Sequence, residues 1–91
     1  MTGSERAELR KAANTLTPVF QIGKGDITDN LVEAVDAALK KRELIKLSVL
    51  ETATVTAKEA AETLAEATSA EVIQCIGRKL VLYRKKEEEE A

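Results

Sequence analysis

The segment Gln21 to Asn30, Gln-Ile-Gly-Lys-Gly-Asp-Ile-Thr-Asp-Asn, leaves the chain fewer conformational choices than any other. A β-branched and aromatic run (Val19, Phe20, Ile22) enters it, and an apolar pattern at helical spacing leaves it from Leu31. Gly23 and Gly25, two of the chain's four glycines, flank Lys24. The pattern is a strand, a glycine turn and a helix N-terminus. Glycine permits positive φ and close approach of the backbone to a ligand. The free N–H groups opening the next helix carry partial positive charge that favours an anion, and Lys24 adds a full charge at the same spot. Such a loop is suited to contacting phosphate. It equally suits a plain strand-to-helix turn in which glycine is punctuation and Lys24 is solvated. A nucleotide P-loop is excluded, because no glycine here precedes Lys-Ser or Lys-Thr, and there is no G-x-G-x-x-G.

The rest of the chain supplies partners for that strand and helix. Ser4 is placed to cap a first helix, with Glu5 in its first turn and Arg10 and Lys11 near its end. Leu9, Ala12, Ala13 and Leu16 give it a thin apolar stripe, and Asn14 and Thr15 end it before Pro18, which disfavours helix at Thr17. Residues 17–22 then read as a strand. Thr28 is the N-cap of a second helix over about 28–41, with Leu31, Val32, Val35, Ala38 and Leu39 on its apolar face. Lys40, Lys41 and Arg42 close it, complementing the helix dipole.

Leu44 to Leu50 form a second strand, with Ile45, Leu47 and Val49 on one face and Lys46 and Ser48 on the other. Thr56 and Glu59 have capping-box spacing at the head of a third helix, whose Ala60, Ala61, Leu64, Ala65 and Ala67 make a small-residue face for close packing. Val72–Ile76 and Lys79–Arg84 are strands separated by Gly77-Arg78, a glycine-first loop of the type II′ hairpin kind that sets Arg78 and Lys79 at an exposed tip. The order α-β-α-β-α-β-β predicts an α/β fold. Right-handed crossovers give a four-stranded mixed sheet with helices packed on one face and a polar, basic open face.

At 91 residues the chain is one small domain, expected over 1–86, with residues 87–91 as an acidic disordered tail. The net charge is −2, yet without Glu87 to Glu90 the balance is 14 basic against 12 acidic residues, or +2. Charge is also segregated: residues 51–71 carry five glutamates against Lys58 alone. A locally basic surface is therefore compatible with an acidic total. No apolar run approaches the ~18 residues of a membrane span. The first residues have no hydrophobic character, so a cytoplasmic location is expected. Cys75 lacks a disulfide partner, and its apolar strand context predicts a buried thiol. With no histidine, no paired cysteine and no nucleophile motif, the chain is not expected to be an enzyme. No metal, cofactor or catalytic residue is assigned.

Three linked motifs carry a resemblance. Leu16-Thr17-Pro18-Val19-Phe20-Gln21-Ile22-Gly23-Lys24-Gly25 resembles an L-x-P strand running into a glycine loop. Arg42-Glu43-Leu44-Ile45-Lys46-Leu47 resembles an E-L-I-K-V strand, and Ile76-Gly77-Arg78-Lys79-Leu80-Val81-Leu82-Tyr83-Arg84 resembles a closing I-G-x-x-L-V-L-Y-R hairpin. Together, over residues 5–84, they resemble the CRM domain (chloroplast RNA splicing and ribosome maturation), in its stand-alone bacterial YhbY form. The resemblance implies a fold similar to the C-terminal domain of translation initiation factor 3 and an RNA-binding role on precursors of the large ribosomal subunit. The family's G-x-x-G loop corresponds to Gly23-Lys24-Gly25-Asp26. Asp26 stands where the second glycine is usual: it tolerates left-handed geometry, but its carboxylate is expected to repel a phosphate at close range. Asn14 stands where relatives often have histidine.

The site expected from residues and resemblance together comprises Gly23, Lys24, Gly25, Asp26, Thr28, Lys46, Arg78, Lys79 and Arg84. It would bind ribosomal RNA as a monomer, with Phe20 and Tyr83 in the core rather than stacking on bases. The alternative is a protein-binding module docking on a ribosomal protein or assembly factor through the open sheet face or the acidic third helix.

Overall fold

A computed structural model describes residues 2–85; the acidic tail expected over 87–91 lies outside the described residues. The elements follow the expected order: α1 (Gly3–Ala13), β1 (Phe20–Ile22), α2 (Asp29–Arg42), β2 (Leu44–Val49), α3 (Ala57–Thr68), β3 (Glu71–Ile76) and β4 (Lys79–Tyr83). The strands form one sheet in the order β1-β2-β4-β3. β1 and β2 are parallel, while β4 is antiparallel to both β2 and β3. The crossovers β1-α2-β2 and β2-α3-β3 therefore both join parallel strands and step the same way across the sheet. Crossovers of one hand then put α2 and α3 on one face.

That face holds the main core. Ile22, Ile45, Leu47, Val49, Leu80 and Leu82 of the sheet are buried against Val35 and Leu39 of α2 and Ala57, Ala60, Ala61 and Leu64 of α3. The alanines bring α3 close to the sheet, as its composition predicts.

α1 departs from the expectation that all helices share a face. It packs on the opposite side, where Ala13, Ile73 and Val81 are buried with Leu9, Leu44 and Tyr83 around them. Alternation along β4 explains this: Leu80 and Leu82 point to α2 and α3, so Val81 and Tyr83 point away, and this second apolar stripe must be covered too. The open face thus shrinks to a strip beside α1 carrying Gln21, Lys46, Ser48 and Lys79, residues whose registers lie side by side.

Several boundaries have local causes. Thr2, not Ser4, caps α1, accepting from the Glu5 amide at 3.2 Å. β1 is shorter than the predicted 17–22, since Pro18 has no N–H to give a ladder, although the Val19 amide already donates to the Lys46 carbonyl at 2.9 Å. The capping box at Thr56 and Glu59 forms as expected. β3 is an edge strand with a bulge between Val72 and Gln74. The bulge sets Cys75 opposite Leu80, but near the hairpin tip of this edge strand it is exposed instead of buried. Arg6 of α1 reaches this edge, donating to the Val72 carbonyl at 3.0 Å and lying 3.7 Å from Glu71.

At the hairpin tip Gly77 has φ 59°, and Arg78 is not among the positive-φ residues, which fits the glycine-first turn. A Cβ added at Gly77 would meet no atom within 4 Å, so the cost of Gly77→Ala is the backbone conformation alone. Urea denaturation should show that variant less stable by roughly 1 kcal/mol with an unchanged m-value.

Candidate functional site

Because β1 and β2 are parallel, the loops that follow them leave the same end of the sheet. Residues 23–28 lead into α2 and residues 50–56 into α3. The β3–β4 hairpin tip comes to this end as well: Ser48 pairs with Lys79, and the Val49 amide donates to the Arg78 carbonyl at 2.6 Å. Lys24, Arg78 and Lys79, distant in sequence, are thereby collected beside two helix N-termini. All three side chains are exposed. In open α/β sheets this end of the parallel strands is the usual place for ligands.

The glycine loop is a four-residue turn. The Asp26 amide donates to the Gly23 carbonyl at 2.8 Å, so Lys24 and Gly25 occupy its centre. Neither glycine has positive φ; that conformation falls on Asp26, at 52°. A Cβ on Gly23 would lie 3.5 Å from both Leu50 Cδ1 and Thr52 Oγ1, an ordinary packing contact, so neither conformation nor crowding requires glycine there. Thr28 caps α2, its hydroxyl accepting from the Leu31 amide at 3.1 Å.

Acidic groups at this end are largely engaged by protein. Asp26 Oδ1 accepts from the Thr54 amide at 2.7 Å, and Oδ2 accepts from the Thr54 hydroxyl. The Thr54 hydroxyl, and then its amide, hold the Asp26 carboxyl below the ordinary aspartate value. The carboxylate expected to repel a phosphate at close range is turned toward the neighbouring loop and keeps its negative charge there. Glu59 is occupied in the α3 cap, and Glu51 lies 3.5 Å from Arg78 in an exposed pair. Asp29 remains in the first turn of α2.

Two expected site residues lie elsewhere. Lys46 is half-buried on the α1 face, with Nζ 3.5 Å from the Ala13 carbonyl at the α1 C-terminus. It belongs to the strip beside α1, two residues along β2 from Ser48, and not to the loop end. Arg84 is withdrawn from the site altogether. Its guanidinium donates to Asp36 Oδ1 at 2.5 Å, to the Thr68 carbonyl at 2.7 Å and to the Asp36 carbonyl at 3.0 Å. With its side chain only 21% exposed, it ties α2 to the end of α3. Its hydrogen bond holds the Asp36 carboxyl below the ordinary value, with smaller help from its charge and that of Lys40.

The CRS1/YhbY (CRM) domain model matches residues 1–84. The chain belongs to this family. It is 40% identical over 88 residues to "Probable RNA-binding protein YqeI" of Bacillus subtilis, covering 97% of this chain and 92% of that one. It is 31% identical over 88 residues to a Haemophilus influenzae protein named "RNA-binding protein", covering 97% and 89%. The solution structure of the hypothetical protein SAV1595 from Staphylococcus aureus matches with a TM-score of 0.79 and 44% identity, over 99% of this chain and 94% of that chain.

Within this CRM domain the three motifs that suggested the family fall on β1 with its loop, on β2, and on the β3–β4 hairpin. Sequence reading missed Thr54 as a partner of the glycine loop. No local signal marks it, because its bond to Asp26 spans 28 residues. Gln21 and Ser48, which share the strip with Lys46, were not among the expected site residues, since neither carries charge. Among the described residues, no group of acidic residues and cysteine is arranged to hold a metal, and no helix is long and apolar enough to cross a membrane.

Asp36 provides a pH test of the reassignment of Arg84. A carboxyl with a depressed folded pKa adds stability above its unfolded value, near 3.8, and loses it as pH falls through the lower folded value. Arg84→Met should cost about 1–2 kcal/mol at neutral pH, discounted for the exposure of Asp36. The same variant should flatten the loss of stability below pH 4, as read by denaturant titration across pH.

Proposed function

We propose that this CRM domain binds RNA through the loop end of its sheet, and that its target is ribosomal RNA in precursors of the large subunit. The observation that carries this reading is the gathering of Lys24, Arg78 and Lys79 around the entrance to α2. RNA-binding names among full-length relatives at 31–40% identity support it. The turn at residues 23–26 presents Lys24 at its apex, and Gly23 and Gly25 keep side chains out of the approach. Thr28 marks the start of α2, whose dipole favours an anion. Arg78 and Lys79 add charge from the hairpin, and Lys46 extends the surface along the strip beside α1.

Recognition on this surface is by backbone and shape. Phe20 and Tyr83, the chain's aromatics, are partly buried against the two cores and offer no stacking platform. Large-subunit precursors are the target that the family resemblance implies. The domain acts as a cytoplasmic monomer without catalysis, metal or cofactor. A second reading, docking on a ribosomal protein or assembly factor, is favoured by the exposed Glu62 and Glu66 of α3.

Sedimentation of cell extract on sucrose gradients, with blotting for this protein, tests the target. Migration with large-subunit precursors at low salt, lost at high salt, is expected; a protein that stays at the top of the gradient even at low salt refutes it. In direct binding, charge reversal of Lys24 and Arg78 to Glu should weaken RNA affinity by at least about tenfold. Each lost phosphate contact should also lower the slope of log K against log salt by roughly one. A protein contact made through α3 would survive the same substitutions.

A further inference from the structure

Asp26 combines two features that are hard to explain separately. It is a non-glycine residue with φ 52°, in the loop that faces the proposed ligand. It is also an acid in a place where free negative charge would oppose a phosphate. Both follow from one contact. Its two carboxylate oxygens are taken by the amide and the hydroxyl of Thr54, on the loop between β2 and α3. With the backbone in the left-handed conformation, the side chain reaches the neighbouring loop.

We propose that Asp26 and Thr54 are a positioning pair. They latch the turn at residues 23–26 onto the loop at residues 50–56, so that Lys24 and the turn's amides are held ready for RNA; this rests on the RNA-binding function above. Three other observations make the latch a rigid connection. The Leu50 amide donates to the Ile22 carbonyl at 2.8 Å, extending the β1–β2 ladder to the base of both loops. Gly23 lies beside Leu50 and Thr52, so the two loops are neighbours along their length. Thr54 itself stands two residues before Thr56, whose capping box anchors that loop to α3. A turn containing two glycines would otherwise sample many conformations, and RNA would have to select among them. With the latch closed, that ordering is already present in the free protein.

The latch and a simple charge effect predict opposite outcomes. If Asp26 acted on RNA mainly as a repelling charge, Asp26→Gly, which restores the family's G-x-x-G pattern, would tighten binding. As a positioning residue, its loss loosens the turn and weakens binding.

The test is a set of binding titrations with a labelled transcript of large-subunit ribosomal RNA. The proteins are wild type, Asp26→Gly, Thr54→Val, Lys24→Ala and the double variant Thr54→Val/Lys24→Ala. Thr54→Val changes no charge and should still weaken binding several-fold, and Asp26→Gly roughly tenfold, the scale of coupling between neighbouring groups. In the Lys24→Ala background the effect of Thr54→Val should shrink, because one of the groups it positions is gone. A purely structural role would give the same factor in both backgrounds. Amide hydrogen exchange at Thr54 should accelerate in Asp26→Gly while exchange in the β2–β4 ladder is unchanged, separating latch opening from global destabilisation.

Tighter binding by Asp26→Gly, or an undiminished Thr54→Val effect without Lys24, overturns the positioning role and leaves RNA binding intact. If Lys24→Ala binds as wild type does, the loop-based RNA function fails, and the positioning role with it.

Discussion

The pairing of β2 with β4 is the interaction on which the other elements depend. It is the antiparallel centre of the sheet, running from Leu44 opposite Tyr83 to Ser48 opposite Lys79. Its alternation sends Ile45, Leu47, Leu80 and Leu82 into the larger core and Leu44, Val81 and Tyr83 into the smaller one. Two helices are needed on one side and one on the other because both stripes are apolar. Fully burying each large aliphatic side chain contributes about 1.5–3 kcal/mol, so this pair anchors the cores on both faces. It also shapes the loop end, since the register that aligns Ser48 with Lys79 brings the hairpin tip level with the loops that follow β1 and β2.

The electrostatics of the loop end depend on which charges are already in use. An inventory by sequence finds acids and bases there in similar numbers. In the structure Asp26 is turned to Thr54, and Glu59 closes a cap. Lys24 and Lys79 are exposed beside the α2 N-terminus, and Arg78 makes only a long, exposed pair with Glu51. Exposed pairs of that sort are worth little and are easily exchanged for another anion. A domain with a net negative sequence can thus still offer exposed cations at this end.

What was legible in the sequence was local. Thr28 and Thr56 were readable as caps because a hydroxyl's effect on the next turn needs no knowledge of the fold. Gly77-Arg78 was readable because a two-residue hairpin has few solutions. The side of the sheet taken by α1 was not, since its thin stripe fits either face and only the apolar Val81 and Tyr83 decide between them. Arg84 was expected in the site because it is a charged residue closing the hairpin motif. Its true partner, Asp36, lies 48 residues away on a helix that faces it only after folding. Asp26 was recognised as a departure from the family loop, but its orientation depended on Thr54, which carries no pattern of its own.

The contact between Arg6 and the Val72 carbonyl bears on how this domain behaves in company. β3 is an outer strand, and an outer strand's unsatisfied backbone is a template on which a strand from another molecule can add. Here the bulge interrupts the regular spacing that such growth requires, and a guanidinium from α1 occupies one of the acceptors, with Glu71 beside it. At this edge the sheet is terminated from within its own chain. Copies of the domain brought close together are therefore hindered from adding strand to strand through β3.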